Sequence, residues 1–175
     1  MKIYLLHNIG SKKYKSGRVN ANYNPLEQIL YTDKDDVLTF DGVYKNVYKY
    51  RKELYRRKVI LFVMGNYVGK DNSFNIGMPL EKFCDWNEIM DMVINYNFGL
   101  GWHTWSHRDL TKLEASEIKK ELTPPSFFNT KYFAYPYGKF DKLVLDWVKI
   151  IGYDIAYSVD KGNNFIYQIR REYLK

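Results

Sequence analysis

Short apolar runs recur along the chain at intervals that leave room for a helix between them. The clearest is Lys58-Val59-Ile60-Leu61-Phe62-Val63-Met64-Gly65, a continuous apolar run between a basic segment and a glycine. Such a run is typical of a parallel strand that is buried on both faces. The pattern predicts strands over six segments in all: residues 3–6, 36–42, 58–65, 98–103, 132–135 and 154–159.

Segments with a helical spacing of apolar residues lie between these strands. They are residues 44–57, 85–94, 114–122 and 142–151. Asp85 and Glu88 have the spacing of a capping box at the start of the second segment, and Gly152 follows the last one. The alternation of strands and helices predicts βαβ units, and therefore an α/β fold with a parallel sheet or barrel.

Length and composition limit the class of protein. At roughly 150 residues per domain, 175 residues indicate a single domain over 1–175. Hydrophobic residues make up 46% of the chain and aromatic residues 18%, which excludes disorder as the main state. The single cysteine, Cys84, excludes an intrachain disulfide and a cysteine-based zinc finger. Any metal site must therefore use histidines and carboxylates.

Targeting signals are not evident in the sequence. No apolar run approaches the roughly 18 residues of a membrane span, and the apolar stretch at the start is too short for a secretory signal. We therefore expect no membrane span and a cytoplasmic location, with export or display by another route left open. The oligomeric state is not indicated.

The formal net charge is +7, which raises the question of a nucleic-acid partner. Six basic residues cluster in and just after the first predicted helix: Lys49, Arg51, Lys52, Arg56, Arg57 and Lys58. A basic helix of this kind is more often a solvated face, and no RNA- or DNA-binding motif accompanies it. We expect no nucleic-acid partner, while attraction to an anionic glycan or cell surface also fits the charge.

The sharpest chemical signal is His103-Thr104-Trp105-Ser106-His107, at the predicted end of a strand. Two imidazoles four residues apart can bind one metal ion if the segment turns helically. Two of the three histidines in the chain fall here, at a strand end, where α/β enzymes gather their functional groups. The alternative is a pair of surface or capping histidines. His103 and His107 are therefore candidate metal ligands.

Two further strand ends carry candidate chemistry. Asp41 ends the strand before Gly42, where an aspartate can act as a general base or as an oxygen ligand, although Asp-Gly is also a common turn. Tyr135-Pro136-Tyr137-Gly138 ends another strand and can direct a backbone N–H at a developing oxyanion. A purely structural turn explains that segment equally well.

In combination, these motifs resemble those of the polysaccharide deacetylase family, also described as the NodB-homology domain and carbohydrate esterase family 4. Leu38-Thr39-Phe40-Asp41-Gly42 resembles its Thr-Phe-Asp-Asp-Gly motif, and His103 to Leu110 is similar to its His-Thr-x-Ser-His segment with the Asp-Leu that follows. Phe133 to Gly138 resembles its third motif. Ile60 to Gly65, Gly152 to Asp160 and Leu6 to Ile9 are similar to further segments. The matches are collinear over nearly the whole chain, which is short for the family.

The resemblance implies a distorted or incomplete (β/α) barrel of about seven strands that removes N- or O-acetyl groups from a glycan. It implies a divalent metal, zinc or else cobalt or nickel, on His103, His107 and Asp41, with a neighbouring aspartate as base. The backbone N–H of Tyr137 would hold the oxyanion, and Thr104 and Ser106 would orient the histidine loop.

Three departures from the family pattern bear on catalysis. The family has two adjacent aspartates where this chain has Asp41 alone, so Asp41 is either the base, with Gly42 at the ligand position, or the ligand, with the base missing. The missing carboxylate could come from Asp33, Asp35 or Asp36, which more simply are solvated turn residues. Ala134 stands where the family has an arginine, so a base here is expected to lack its cationic partner.

The third departure is that no histidine follows His107, where the family places a general acid. His7 ends a neighbouring strand and is a candidate for that role, although a plain strand-end histidine is the alternative. Loss of an acid or base typically lowers the rate by ~10²- to 10⁴-fold. A catalytically impaired protein of the same fold that binds glycan is therefore the second hypothesis. Trp102, Trp105, Tyr135 and Tyr137 would form its stacking surface for sugar rings, unless they are a packed rim of the barrel.

Overall fold

A computed structural model describes residues 1–10, 23–75, 79–159 and 165–174. Most of the polar loop predicted over residues 11–25 lies outside the described residues. The described residues form ten β-strands. They are β1 (Ile3–Leu6), β2 (Asn8–Ile9), β3 (Tyr23–Asn24), β4 (Val37–Asp41), β5 (Lys58–Val63), β6 (Gly99–Trp102), β7 (Tyr132–Ala134), β8 (Ile155–Ser158), β9 (Ile169–Arg170) and β10 (Glu172–Tyr173). All six predicted strands are present.

In the described part of the chain, six α-helices lie between the strands. They are α1 (Leu26–Leu30), α2 (Lys45–Lys49), α3 (Arg51–Leu54), α4 (Trp86–Tyr96), α5 (Ala115–Leu122) and α6 (Lys142–Ile151). The single helix predicted over 44–57 is instead two short helices, because the backbone of Tyr50 leaves the helical region with ψ 18°. The predicted capping box forms at the start of α4, where Asp85 and Glu88 exchange hydrogen bonds with each other's backbone N–H.

Eight of the strands form one parallel sheet in the order β10-β1-β4-β5-β6-β7-β8-β9, and β2 pairs with β3. Only Arg171 separates β9 from β10. β9 pairs with β8 and β10 pairs with β1, so the segment 169–173 joins the two edges of the sheet. Because β9 and β10 occupy a single segment, seven segments surround the barrel. The predicted α/β barrel of the deacetylase type is thus confirmed.

Alternate residues of the strands point into and out of the barrel. Ile60, Phe62, Ala134 and Tyr157 pack together as one cluster inside it. Gly101 makes room for this cluster, because a Cβ at that position would lie 2.4 Å from the ring of Phe62. The opposite faces of the strands pack against the helices in a larger cluster. The run predicted for β5 is buried on both faces from its second residue onward.

No helix among the described residues has the length and apolar character needed to cross a membrane. Because the strands are parallel, their carboxyl ends meet at the same edge of the barrel. β1 leads into His7, β4 ends at Asp41, β6 leads into His103, and β7 leads into the turn at Tyr137. The fold therefore brings together the strand ends at which the sequence predicted chemistry.

Candidate active site

A cavity with an empty volume of about 330 Å³ opens at the carboxyl ends of the strands. It is lined by His7, Asp41, Tyr44, Met64, Phe74, Asn75, His103 and His107. Four predicted site residues, from three different strand ends and the loop after β6, thus share one cavity. Tyr44, Phe74 and Asn75 were not singled out from the sequence, since they lie in connecting segments without a motif.

His103 is held in the orientation that a metal ligand requires. Its side chain is buried, and Nδ1 lies 2.7 Å from the carbonyl oxygen of Ala134. A carbonyl can only accept a hydrogen bond, so Nδ1 carries the proton and Nε2 keeps its lone pair. Nε2 lies 3.5 Å from Oδ2 of Asp41. Burial lowers the pKa of His103, which favours the neutral form that binds metal.

His107 lies beside His103, with 4.8 Å between the ring centroids. Its backbone has a φ of 57°, in the left-handed region, and its N–H donates to Oγ1 of Thr104 over 3.0 Å. Burial, and then the neighbouring His103, lower the pKa of His107 to about 3. Both imidazoles of the motif are therefore neutral at pH 7 and adjoin the same cavity.

Asp41 accepts two hydrogen bonds from the guanidinium of Arg171. Nη1 lies 2.5 Å from Oδ1 and Nη2 lies 2.8 Å from Oδ2, and both side chains are buried. Burial alone would raise the pKa of Asp41, but Arg171 and then His103 outweigh it and lower the pKa to about 2. Arg171 therefore supplies a cationic partner for Asp41, in place of the arginine that the sequence lacks at position 134.

His7 reaches the cavity, where it interacts electrostatically with Asp41, Arg171 and His103. Burial, only partly offset by Asp41, lowers its pKa to about 4, so His7 is neutral at pH 7. Its Nδ1 is buried and has no hydrogen-bond partner among the described residues. A buried imidazole nitrogen without a partner is costly, so Nδ1 of His7 is a polar group that remains available to bind in the cavity.

The turn after β7 carries Tyr137, whose ring lies beside His107. Gly138 and Lys139 donate the hydrogen bonds that close this turn, to the carbonyls of Tyr135 and Pro136. The φ of Tyr137 is 59°, which a residue with a side chain adopts at a cost of about 1 kcal/mol. The ring of Tyr137 is half exposed and lies 4.7 Å from that of His107. The role of its N–H as oxyanion donor stays a prediction.

Two of the aromatic residues predicted to bind substrate lie in the core instead. Trp102 and Tyr135 are both 0% exposed. The indole of Trp102 donates to the carbonyl of Glu121, and the hydroxyl of Tyr135 donates to the carbonyl of Tyr167. Neither ring offers a face to a sugar, so these two assignments are corrected. Trp105 is partly buried and donates from its indole to the carbonyl of Thr123.

The alternative carboxylates are not at the site. Asp36 is buried beneath the start of β4, where it accepts from the N–H of Lys2 over 2.6 Å, and Asp35 pairs with Lys58 over 3.0 Å. Asp33 lies in the same turn. These residues precede the amino end of β4, whereas Asp41 is at its carboxyl end. None of them replaces the missing aspartate.

The donors for a metal ion are present only in part. Among the described residues, no group of three or more His, Cys, Asp or Glu side chains is arranged to hold a metal. His103 and His107 fit as a pair, because each is neutral and Nε2 of His103 is available. Asp41 fits poorly as a third ligand, since Arg171 occupies both of its oxygens. Gly42 has no side chain to offer.

These features define a parallel α/β barrel with three histidines and one carboxylate around a cavity at the carboxyl ends of its strands. A sequence model of the polysaccharide deacetylase family matches residues 31–156. The match covers more than half of the chain, and the chain belongs to this family. No curated protein sequence matches the chain.

Solved structures show the same fold at low sequence identity. The chain is similar to the Streptococcus pyogenes deacetylase PplD in complex with acetate, with 16% identity and a TM-score of 0.71 over 98% of this chain and 90% of that one. The deacetylase domain of BpsB from Bordetella bronchiseptica is 13% identical, with a TM-score of 0.70 over 99% and 95% of the chains. BC0361, a polysaccharide deacetylase from Bacillus cereus, is 17% identical, with a TM-score of 0.72 over 99% and 64%.

Proposed function

We propose that the chain is a metal-dependent hydrolase that removes N- or O-acetyl groups from a polysaccharide or amino-sugar glycan. The proposal is supported by membership of the polysaccharide deacetylase family together with one observation at the site. His7, Asp41, His103 and His107 line a single cavity at the carboxyl ends of the barrel strands. Acyl transfer to water requires an activated water, a base and a donor for the oxyanion. The cavity has candidates for the first two, and Tyr137, whose ring lies beside His107, is the candidate for the third.

His103 and His107 would hold the divalent cation, with zinc first in our assignment and cobalt or nickel able to take its place. When bound, such a cation polarises the acetyl carbonyl and lowers the pKa of a water molecule. The hydrogen bond from Nδ1 of His103 to Ala134 fixes the tautomer and the ring direction. With two histidines and no free carboxylate, the affinity for the metal should be lower than that of a three-ligand site.

Asp41 is assigned as the general base rather than as a metal ligand. Arg171 is a permanent cation held against both carboxylate oxygens, and a divalent cation on the same oxygens would be repelled by it. The same pairing keeps Asp41 ionised at every pH above about 2 and fixes its direction towards His103. Each carboxylate oxygen keeps a second lone pair, through which Asp41 can accept a proton as water attacks the carbonyl. Its low pKa makes it a weak base, which agrees with the slow turnover expected here.

The remaining two roles fall to Tyr137 and His7. The N–H of Tyr137 would donate to the oxygen that becomes negative during attack, as backbone donors do in other acyl-transfer sites. His7 would return a proton to the leaving amine or alcohol. Because its pKa is about 4, His7 begins the cycle neutral at pH 7. It would take up the proton that Asp41 removes from the attacking water and then give that proton to the leaving group.

Release of acetate tests this proposal. Purified protein loaded with zinc, cobalt or nickel is incubated with acetylated amino-sugar oligomers of chitin, peptidoglycan and exopolysaccharide type, and free acetate is measured. We expect slow release that is lost in His103→Ala and retained in Lys120→Ala, which changes an exposed residue of α5. Absence of release from all three substrate types, with every metal, would contradict the proposal.

Glycan binding without hydrolysis is the second candidate function. It is favoured by the absence, among the described residues, of a complete three-ligand metal group. In that case the wild-type chain binds acetylated oligomers, as measured by calorimetry, but releases no acetate. Phe74 lines the cavity and is 40% exposed, so its ring then replaces Trp102 and Tyr135 as the surface on which a sugar ring would stack.

A further inference from the structure

A buried carboxylate supports the loop that carries both histidines. Glu121 lies at the end of α5 and is 6% exposed. Its Oε2 accepts the backbone N–H groups of Trp105 and Ser106, each over 2.9 Å, and its Oε1 accepts the hydroxyl of Ser106 over 2.5 Å. The carboxylate therefore binds two of the three residues that separate His103 from His107.

The backbone of this loop is unfavourable by itself. Thr104 has a φ of 70° and His107 a φ of 57°, and each left-handed residue with a side chain costs about 1–2 kcal/mol. Thr104 is also fully buried, so the polar backbone groups around it need partners inside the protein. A loop of this shape persists only when the surrounding structure fixes it.

Two elements supply those partners from opposite sides. On one side, the N–H groups of Gly65 and Asn66 donate to the carbonyls of Thr104 and Trp105. On the other side, α5 contributes the Glu121 carboxylate and the main-chain carbonyl of Glu121, which accepts from the indole of Trp102. Of these contacts, the carboxylate is the one made by a charged side chain, and it receives three hydrogen bonds from the loop.

We propose that Glu121 is a positioning residue for the metal site: its carboxylate holds the Trp105–Ser106 backbone so that His103 and His107 converge on one cation. This inference rests on the proposed metal-dependent function. Glu121 does not face the cavity, and it acts only through the loop. Removal of a partner that orients metal ligands typically weakens metal binding 10- to 100-fold.

Zinc affinity measured by competition with a chromophoric chelator tests the proposal without any substrate. Glu121→Ala should bind zinc about 10- to 100-fold more weakly than the wild type. Glu121→Gln keeps one oxygen for the two N–H groups, but it loses the charge and replaces the acceptor of the Ser106 hydroxyl with an NH2 group. We therefore expect a loss of about three- to tenfold. Lys120→Ala is the control, since Lys120 precedes Glu121 in the same helix but is exposed. Its zinc affinity should equal that of the wild type.

A second readout separates this inference from the proposed function. In metal-free protein, the amide protons of Trp105 and Ser106 should exchange with solvent faster in both Glu121 variants, and the ring resonances of His107 should shift. If the wild type binds no zinc, the metal proposal fails while this readout still tests Glu121. Two results would show that Glu121 is not a positioning residue. If the wild type binds zinc, the result is an equal zinc affinity in the folded Glu121 variants. If the wild type binds no zinc, the result is equal amide exchange in the wild type and the variants.

Discussion

The guanidinium of Arg171 and the carboxylate of Asp41 form a buried, bidentate ion pair inside the barrel. Arg171 occupies the one position between β9 and β10 at which the last segment changes its partner from β8 to β1. It also donates to Oγ1 of Thr39 over 3.1 Å. One residue therefore closes the barrel and orients the candidate base, so stability and activity depend on the same contact.

Removal of Arg171 should be costly for folding and for catalysis. Arg171→Ala leaves Asp41 buried without a partner, and loss of one member of a buried ion pair typically costs about 3–5 kcal/mol. Urea unfolding followed by circular dichroism measures this loss. Arg171→Lys keeps the charge but not the two parallel hydrogen bonds, so we expect an intermediate loss of stability and a lower kcat.

The neighbouring Arg170 provides the control for that experiment, because it is exposed and belongs to the same segment. Arg170→Ala should leave stability within about 0.5 kcal/mol of the wild type. In Arg171→Ala combined with Asp41→Asn, part of the lost stability should return, since no charge is then left unpaired. Equal stability of Arg171→Ala and the wild type would show that the pair is not formed in solution.

The stability of the metal-free protein should fall on acidification between about pH 6.5 and pH 4. His7 binds a proton near its ordinary value of 6.5 in the unfolded chain but only near 4 in the folded one, so the unfolded state takes up the proton first. A difference of about 2.5 pH units corresponds to roughly 3 kcal/mol. Urea unfolding at pH 7 and pH 4.5 measures the change. His7→Gln should reduce this dependence without abolishing it, because burial also lowers the pKa of His103 and of His107. An unchanged slope in that variant would assign the dependence to those two histidines alone.

Substitution of Gly42 by the missing aspartate should lower the stability of the protein. The φ of Gly42 is 67°, and a Cβ there would lie 2.7 Å from the terminal methyl of Met64. We expect Gly42→Asp to lose about 1–2 kcal/mol of stability from the backbone conformation. Gly42→Asp with Met64→Ala relieves the side-chain contact but not the backbone cost. If the new carboxylate reaches the site, zinc binding tightens in both variants; unchanged affinity would mean that position 42 does not face the metal.

Replacement of Tyr137 by glycine separates its backbone from its side chain. Tyr137→Gly keeps the N–H and removes the strain of φ 59°, so it should escape the roughly 10²- to 10³-fold loss of kcat that follows removal of an oxyanion donor. Steady-state acetate release measures kcat and KM separately. A rise in KM alone would assign the Tyr137 ring to substrate binding, whereas a loss of kcat of that size would contradict a backbone role.

The sequence predicted those parts of the molecule that depend on local pattern. The six strands and the four helical segments follow from apolar runs and spacing, and the strand ends point to Asp41 and His103 because parallel strands share one edge. The short elements α1, β2 and β3 were missed, since each has five residues or fewer and no clear periodicity.

The partners of the site residues could not be predicted in the same way. Arg171 and Asp41 are 130 positions apart, and no local pattern connects them. The segment 169–173 is short and rich in charge, so it does not have the apolar character of a buried strand. Likewise, an aromatic residue at a strand end is compatible with either the core or the cleft, and Trp102 and Tyr135 are in the core because their polar atoms find backbone carbonyls there.

The amount of metal bound by the purified protein tests the proposed metal centre on His103 and His107. The wild type and His103→Ala are purified side by side, incubated with zinc, freed of excess ion and analysed by mass spectrometry. We predict close to one zinc ion per wild-type chain and a much lower zinc content in His103→Ala. No bound zinc, cobalt or nickel in the wild type, or equal amounts in both proteins, would contradict it.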